Sequence, residues 1–325
     1  MRLIGTMMVR DEVDIVAAMV EHHLDQGLDL LIVTDNGSVD GTTEVLEAYA
    51  ETGFVELHHD PVHRKQQSTV VTGMARRART VHRADWVLNL DADEFQVPLD
   101  RSLTLREALD ATPLHLNAFT VPVTNLVGPP AWSGSGVGRL QWRDRRPVAD
   151  LERVGIHAHP TPNAVHRGES DIVVAQGNHF VSLASNGQPP AEVATEVLHL
   201  PWRSWAQPER KVVNAGRAYE SNPDLRPSPK HHGMRDYRRY QAGRLQNAYL
   251  ARTPLRSELE AGEADGSYPR DEWLGHHLCG LLERARLPHL LRPVVDPAQD
   301  HPVPDDEHRR GAALGRAELA AEDTV

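Results

Sequence analysis

The first ninety residues alternate between short apolar runs and longer amphipathic segments. Leu3 to Val9 is an apolar run of strand length, repeated at Leu28 to Val33, Phe54 to Leu57 and Trp86 to Leu90. Between the first two, Val13, Val16, Met19/Val20 and His23/Leu24 recur at helical spacing. Asp11 is placed to cap that helix, with Asp14 three residues on in a weak capping-box position, and Gly27 is placed to close it. Glu44 to Ala50 and Thr69 to Val81 predict two more helices. Continuous apolar strands separated by helices predict parallel strands covered on both faces. The first hundred residues therefore predict a doubly wound α/β sheet.

The pattern changes after that. Ser102 to Ala111 predicts a short helix, and Leu116 to Val127 is β-rich without clean alternation. Between Gly128 and Gly138 the chain turns to Gly, Pro and Ser around Trp132, which predicts a mobile loop, a candidate lid or acceptor-site loop, or a plain surface connection. Ala164 to Val174, Gln176 to Val181 and Val193 to Leu200 read as strands of a β-rich region. Ser204 is placed to cap a helix running to about Tyr219; Tyr237 to Leu250 and Leu274 to Leu287 also predict helix. Beyond Pro293 the chain is polar and Pro-rich, and a loosely held tail is expected.

Composition narrows the chemistry. Of 325 residues, 40% are hydrophobic and only 5% aromatic, so the core is aliphatic. A formal net charge of −11 argues against nucleic acid as a partner. Arginines nevertheless cluster at Arg143/Arg145/Arg146 and at Arg235/Arg238/Arg239, where they either meet a phosphate or form a solvated face. Cys279 is the single cysteine, which excludes an intrachain disulfide and a cysteine zinc site and fits a reducing compartment. The amino-terminal apolar run is too short for a signal sequence, and no run approaches transmembrane length. The expectation is a cytoplasmic protein, with a peripheral visit to a membrane left open. Neither G-x-G-x-x-G nor a P-loop is present, so phosphate would be held by metal and basic side chains.

Two polar turns fall at the carboxyl ends of predicted strands, where open α/β sheets bind ligands. Thr34 to Thr42 is dense in turn-forming residues. Asp91-Ala92-Asp93-Glu94 follows the strand Trp86 to Leu90. In extended or turning backbone, side chains two apart can point the same way. Asp91 and Asp93 then form a hard oxygen site for Mg²⁺ or Mn²⁺, metals that keep waters and take substrate phosphates as ligands. The other reading of the triplet is an acidic loop or a helix start.

These motifs carry a resemblance. Asp35-Asn36-Gly37-Ser38-Val39-Asp40-Gly41-Thr42 resembles the nucleotide-binding turn of family 2-type glycosyltransferases, and Asp91-Ala92-Asp93-Glu94-Phe95 resembles the D-x-D-E-F of the same group. His166-Arg167, Gly177-Asn178-His179 and His199-Leu200 followed by Arg203-Ser204 resemble motifs of a bacterial subgroup akin to the family 92 enzymes. Order and spacing are similar over roughly residues 3–215. Two positions depart: Asp11-Glu12 stands where Asn-Glu is usual, and His199-Leu200 where His-Tyr is usual.

The resemblance implies a GT-A fold, with a mixed, mainly parallel sheet, a β-rich acceptor side and a helical carboxyl-terminal extension. It implies transfer of a sugar from a nucleotide-sugar donor to an acceptor hydroxyl, with inversion. Residues 1–100 would be the donor-binding half, 101–220 the acceptor-side half, 221–295 the helical extension and 296–325 the tail. Asp91, Asp93 and His199 would hold the metal, with Ala92 against the donor. Asp35 and Asn36 would meet the base or ribose, and Asp11 and Glu12 would line the same pocket. Arg64, Lys65 or Gln67 would reach diphosphate or base, backed by Arg203 and Lys211. Inversion needs a general base on the acceptor. His179 and Glu94 are the candidates, with His179 favoured because imidazole titrates near neutrality. Two other functions compete. A sugar-phosphate nucleotidyltransferase shares the sheet and the carboxylates but is expected to carry a Gly-rich loop after its first strand. A non-catalytic nucleotide- or sugar-binding module would not need the acidic triad. Oligomeric state is left open.

Overall fold

The computed structural model describes residues 1–62, 67–220 and 232–322. The chain divides into two compact units. Unit 1 comprises Met1–Thr124, Pro160–His199 and Leu278–Arg292; unit 2 comprises Asn125–His159, Leu200–His277 and Pro293–Val325. The first elements in chain order are β1 (Leu3–Val9), α1 (Val16–Asp25), β2 (Leu30–Asp35), α2 (Thr42–Glu51), β3 (Val55–His59), α3 (Gln67–Thr80), β4 (Trp86–Leu90) and β5 (Glu94–Pro98). There follow α4 (Leu105–Asp110), β6 (Ala118–Val121), β7 (Val123–Val127), β8 (Ala131–Ser133), β9 (Trp142–Arg143), α5 (Val148–Arg153), β10 (Asn163–Arg167) and β11 (Thr195–His199). The rest is α6 (Ala206–Glu220), α7 (His232–Gln241), α8 (Leu245–Arg252), α9 (Arg256–Asp265), α10 (Trp273–Leu281), α11 (Pro288–Val295), β12 (His301–Pro302) and α12 (Asp305–Glu322).

Unit 1 is built on a six-stranded sheet in the order β3-β2-β1-β4-β10-β6. Strands β3, β2, β1 and β4 run parallel; β10 runs antiparallel to both β4 and β6. This is the expected doubly wound, mainly parallel α/β sheet. Its central strands β1, β2 and β4 are buried at every position but Met8, which is why they read as apolar runs. Helix α3 lies on one face, where Val71, Met74, Ala75 and Ala78 pack with Ile4, Ile32 and Val87. The order reverses around β1, between β2 and β4, and there the polar turns emerge. Alongside, β5 pairs antiparallel with β11, so that Glu94 stands opposite His199.

Unit 2 is mainly helical. Helix α12 packs along α8. Gly311 and Gly315 make that approach possible, since a Cβ there would run into the Leu250 side chain and the Asn247 carbonyl. Tyr249, Leu250 and Val303 form a core with Trp132, Trp202 and Trp205 against it. Among the described residues no helix is long and apolar enough to cross a membrane.

Three expectations are corrected. Asp11 does not cap α1: that helix starts at Val16, and Asp11 has a left-handed backbone (φ 55°). The predicted mobile stretch 128–138 is tied down: β8 pairs with β12, Ser135 Oγ donates to Val294 O (2.5 Å), and the Gly136 amide donates to Asp300 Oδ1 (3.2 Å). The tail expected to be loose holds the eighteen-residue helix α12, whose contact stripe of Gly and Ala carries too little apolar side chain to read as amphipathic.

Candidate functional site

The turns after β1 and β2 are laced to each other. The Asp11 amide donates to Ser38 Oγ (3.0 Å), and Asp11 Oδ1 accepts from the Val39 amide (2.8 Å). The Glu12 amide donates to Thr42 Oγ1 (2.8 Å), and the Val13 amide to Asp40 Oδ2 (3.1 Å). Asp40 Oδ1 accepts from the Thr42 amide and hydroxyl. Asp35 Oδ1 takes the Ser38 amide (3.0 Å) and hydroxyl (2.6 Å), while its Oδ2 takes the Thr43 hydroxyl. Asn36 Nδ2 donates to the carbonyls of Asp60 (2.9 Å) and Val62 (3.0 Å), stitching β2 to the segment after β3. Asp11, Glu12, Asp35 and Asn36 thus share one carboxyl edge. The carboxylates of Asp11 and Asp35, however, already accept donors from this frame.

The turn after β4 is different. Leu90 ends the strand, Asp91 to Asp93 turn, and Glu94 starts β5. The Glu94 amide donates to Asp91 O (3.2 Å), closing the turn. Asp93 and Glu94 are buried, at 5% and 6% exposure, and Ala92 is buried between the two aspartates. Asp93 Oδ2 faces His199 Nε2 at 3.7 Å. Glu94 Oε2 accepts from Asn163 Nδ2 on β10 (2.6 Å). Burial first, then the charges of Asp91 and Asp93, push the Glu94 carboxyl well above the ordinary carboxylate range, against the Asn163 hydrogen bond. Three carboxylates crowded on four residues are electrostatically costly unless a proton or a cation intervenes.

A short hairpin brings in the remaining polar groups. Val174 and Val181 form an isolated antiparallel bridge, and Gly177 and Asn178 turn between them in left-handed backbone (φ 80° and 64°). Such a conformation is unusual for a non-glycine residue. It aims the buried Asn178, whose Nδ2 donates to Asp91 Oδ1 (3.1 Å). Gln67, the first residue of α3, adds a weak contact from Nε2 to the same oxygen (3.5 Å), and its Oε1 accepts from Gln176. Ser68 and Thr72 on α3 bind the Val174 backbone and hold the hairpin down. His179 follows Asn178 and is half-buried; burial lowers its pKa, opposed by a hydrogen bond with the Pro162 backbone.

The structure thus brings together Gln67, Asp91, Ala92, Asp93, Glu94 and His199, with His179 one residue from Asn178. Among the described residues, no three His, Cys, Asp or Glu side chains are placed to hold a metal as they stand. The expected triad is present as the Asp93–His199 pair, with Asp91 turned to Asn178 and Gln67. Carboxylate oxygen and imidazole nitrogen remain the donor set that Mn²⁺ or Mg²⁺ takes. The crowded carboxylates also favour a positive ion, so the residues present fit the metal in their chemistry. Lys65 and Arg64 lie outside the described residues. Arg203, in unit 2, is fully buried and donates to Leu200 O (3.4 Å). Lys211 is exposed on α6, also in unit 2, with Gln207 as a partner.

Sequence reasoning missed Asn163 and the side-chain role of Asn178. Asn163 sits in a strand whose neighbour β4 lies over seventy residues earlier in the chain, so only the antiparallel insertion of β10 brings it to Glu94. For Asn178 the signal was there: a Gly-Asn pair is a common site for left-handed turns.

Comparison with known proteins follows the same division. Residues 4–121 match the model of the family described as Glycosyltransferase family 92. No curated protein matches the sequence. Among solved structures, similarity extends to residues 1–349 of S. aureus TarS, with 11% identity, a TM-score of 0.36 and coverage of 98% of this chain and 92% of that one. The same S. aureus fragment in complex with UDP-GlcNAc gives 11% identity, a TM-score of 0.39 and the same coverage. Glucosyl-3-phosphoglycerate synthase from Mycobacterium tuberculosis, in complex with Mn²⁺, UDP and glucosyl-3-phosphoglycerate, gives 16% identity and a TM-score of 0.29 over 51% of this chain and 56% of that one. The family match covers β1 to β6, the segment that supplies most of the doubly wound sheet and the acidic turn, and over that segment the chain is similar to Glycosyltransferase family 92.

Proposed function

We propose that this chain is a glycosyltransferase that moves a sugar from a nucleotide-sugar donor to an acceptor hydroxyl, with inversion, using Mn²⁺ or Mg²⁺ held at the turn after β4. The observation that carries this is the cluster Asp91, Asp93, Glu94 and His199 at the ends of β4 and β11, beside the turns of β1 and β2. Asp93 and His199 would hold the metal, with Asp91 completing the set. When bound, the ion would neutralise the diphosphate charge that grows as the glycosidic bond breaks.

The chain's own residues divide the remaining work. Asn178 and Gln67 hold the Asp91 carboxylate in one orientation. The laced turns of Asp11, Glu12, Asp35 and Asn36 form a rigid wall for base and ribose, and Ala92 leaves room for the donor. Lys65 would reach the diphosphate. Residues 1–100 would bind the donor and 101–220 the acceptor. The general base is His179. Burial keeps its imidazole neutral near pH 7, so its lone pair can take the acceptor proton. Burial and the charges of Asp91 and Asp93 push the Glu94 carboxyl well above the ordinary range, and it serves better as a positioning group, held by Asn163.

Thermal denaturation with UDP-, GDP- and dTDP-sugars, each with and without Mn²⁺, tests this. One nucleotide should raise the Tm only when the metal is present. Stabilisation by no nucleotide, with or without metal, would remove the donor site from this chain.

A further inference from the structure

The arginine cluster Arg235/Arg238/Arg239 takes no part in the transferase chemistry, and the fold gives it a shape. Arg235, Arg238 and Arg239 project from α7, and Arg244 lies just before α8. Together with Glu322, at the end of α12, they line a cavity of about 270 Å³. A second cavity, of about 220 Å³, shares Arg235 and Arg239 and extends past His157. All of these residues belong to unit 2. In a chain of formal charge −11, four cations around one space run against the overall balance.

The arginines are not equivalent. Arg239 is buried and fixed. Its Nη1 donates to Asp236 Oδ1 (2.6 Å), and its Nε and Nη2 reach the Glu322 carboxylate (Nη2 to Oε2, 2.6 Å). Burial works against its charge, but Glu322 and Asp236 outweigh that and hold it firmly protonated. Asp236 is shared with Arg252 through two further bonds of 2.8 Å, so it orients Arg239 without neutralising the cavity. Arg244 Nη1 stands 3.6 Å from Glu322 Oε1. Arg235 and Arg238 have no carboxylate partner among the described residues, and the buried Nε of Arg235 has no acceptor there. Glu322 therefore occupies the place of an anion, bridging two arginines, while the guanidinium groups of Arg235 and Arg238 line the same space without a carboxylate among the described residues.

We propose that this cavity binds a phosphate group, with the Glu322 carboxylate acting as the internal occupant that an incoming phosphate displaces. Guanidinium forks pair with phosphate through two parallel bonds, and a phosphate presents three or four acceptor oxygens, enough to engage Arg235 and Arg238 as well as Arg239 and Arg244. A lone carboxylate has two oxygens and satisfies only two of the four. The ligand class is a phosphomonoester or phosphodiester. Its source is either a soluble phosphorylated saccharide or the headgroup of an anionic lipid.

Titration calorimetry on the full chain with inorganic phosphate and with a phosphorylated monosaccharide, together with sedimentation on phosphatidylcholine vesicles with and without phosphatidylglycerol, tests the proposal. Saturable binding of the soluble phosphates assigns the site to a free ligand; binding to phosphatidylglycerol vesicles alone assigns it to a membrane headgroup. In either case Arg238→Ala, at an exposed position that leaves the α7 core intact, should weaken binding by roughly tenfold, and Arg235→Ala by at least as much. Glu322→Gln should strengthen it several-fold, because the competitor loses its charge. Binding by none of the probes overturns the proposal, and so does binding that both arginine variants leave unchanged. Circular dichroism of each variant separates loss of the site from loss of the helix. The readout is binding and not turnover, so its outcome is independent of the transferase reading.

Discussion

The two acidic turns at the carboxyl edge of the unit 1 sheet use the same residue types for opposite ends. In the turns after β1 and β2, the carboxylates of Asp35 and Asp40 accept backbone amides and hydroxyls from within a few residues, and Asp11 takes the Val39 amide. Each charge is spent on fixing the loop. In the turn after β4, Asp91, Asp93 and Glu94 are crowded together, and side chains from distant segments reach them: Asn178, His199 and Asn163. A carboxylate satisfied by its own turn is part of the scaffold. One held by remote donors against its like-charged neighbours is where we propose that a cation binds. The composition of the two loops does not distinguish these cases; the direction of the donors does.

The comparison predicts contrasting responses to substitution. Asp93→Asn should lower kcat by roughly a thousandfold or more, read as nucleotide release from the donor that thermal shift identifies, with little change in Tm. Asp40→Asn, in the laced turn, should leave kcat within about threefold and cost about 1 kcal/mol of stability by weakening the bonds from the Val13 and Thr42 amides. If the two variants lose activity equally, the division between scaffold and site is wrong.

The second contrast is in pH. His23 on α1 accepts the Gln96 amide through Nε2 (3.3 Å), and His22 contacts the Gln96 carbonyl (2.9 Å), so this pair backs β5 just behind the acidic turn. Burial lowers the His23 pKa from 6.5 to about 4, against a hydrogen bond with Met19 O. A group with a depressed folded pKa stabilises the fold fully above its unfolded value and loses that contribution as the pH falls. Between pH 6.5 and about 4 the unfolded chain takes up a proton that the folded one refuses. Stability should fall by roughly 3 kcal/mol across that window. Urea titrations should show it, and His23→Gln should flatten the dependence. An unchanged slope in the variant would assign the acid sensitivity to other groups.

Smaller effects sharpen the picture. Asp35→Ala should cost about 2 kcal/mol, because it strands the Ser38 and Thr43 donors in a half-buried turn; urea unfolding measures it. Unchanged stability with lost donor affinity would make Asp35 a ligand-contact residue and not a scaffold one. Gln67→Ala should lower kcat only a few-fold, since a 3.5 Å contact is at the limit of a hydrogen bond and Asn178 still holds Asp91. A loss as large as that of Asp93→Asn would show that Gln67 touches the donor itself.

Much of unit 1 was legible in the chain. The strands β1, β2 and β4 are buried on both faces, so their apolar runs were unambiguous, and the turns between the elements were marked by Gly, Asp and Asn. The start of α1 was not, because Asp11, the apparent cap, is bent into left-handed backbone by its bonds to Ser38 and Val39. Unit 2 was the harder half. The stretch 128–138 looked loose because its Gly, Pro and Ser residues say nothing of Val294 and Asp300, which hold it from the far end of the chain. Helix α12 was hidden because it packs through glycine and alanine.

The sequence by itself determined the alternation of strand and helix, and with it the edge of the sheet where the carboxylates had to emerge. These follow from local rules: which residues prefer a covered strand and which break a helix. Tertiary structure alone decided which carboxylates are consumed by the frame, that β10 enters antiparallel to bring Asn163 to Glu94, and that four arginines of α7 and α8 close around the last carboxylate of α12. Each of these depends on partners tens of residues apart, and the energy that selects them exists only once the chain has brought them together.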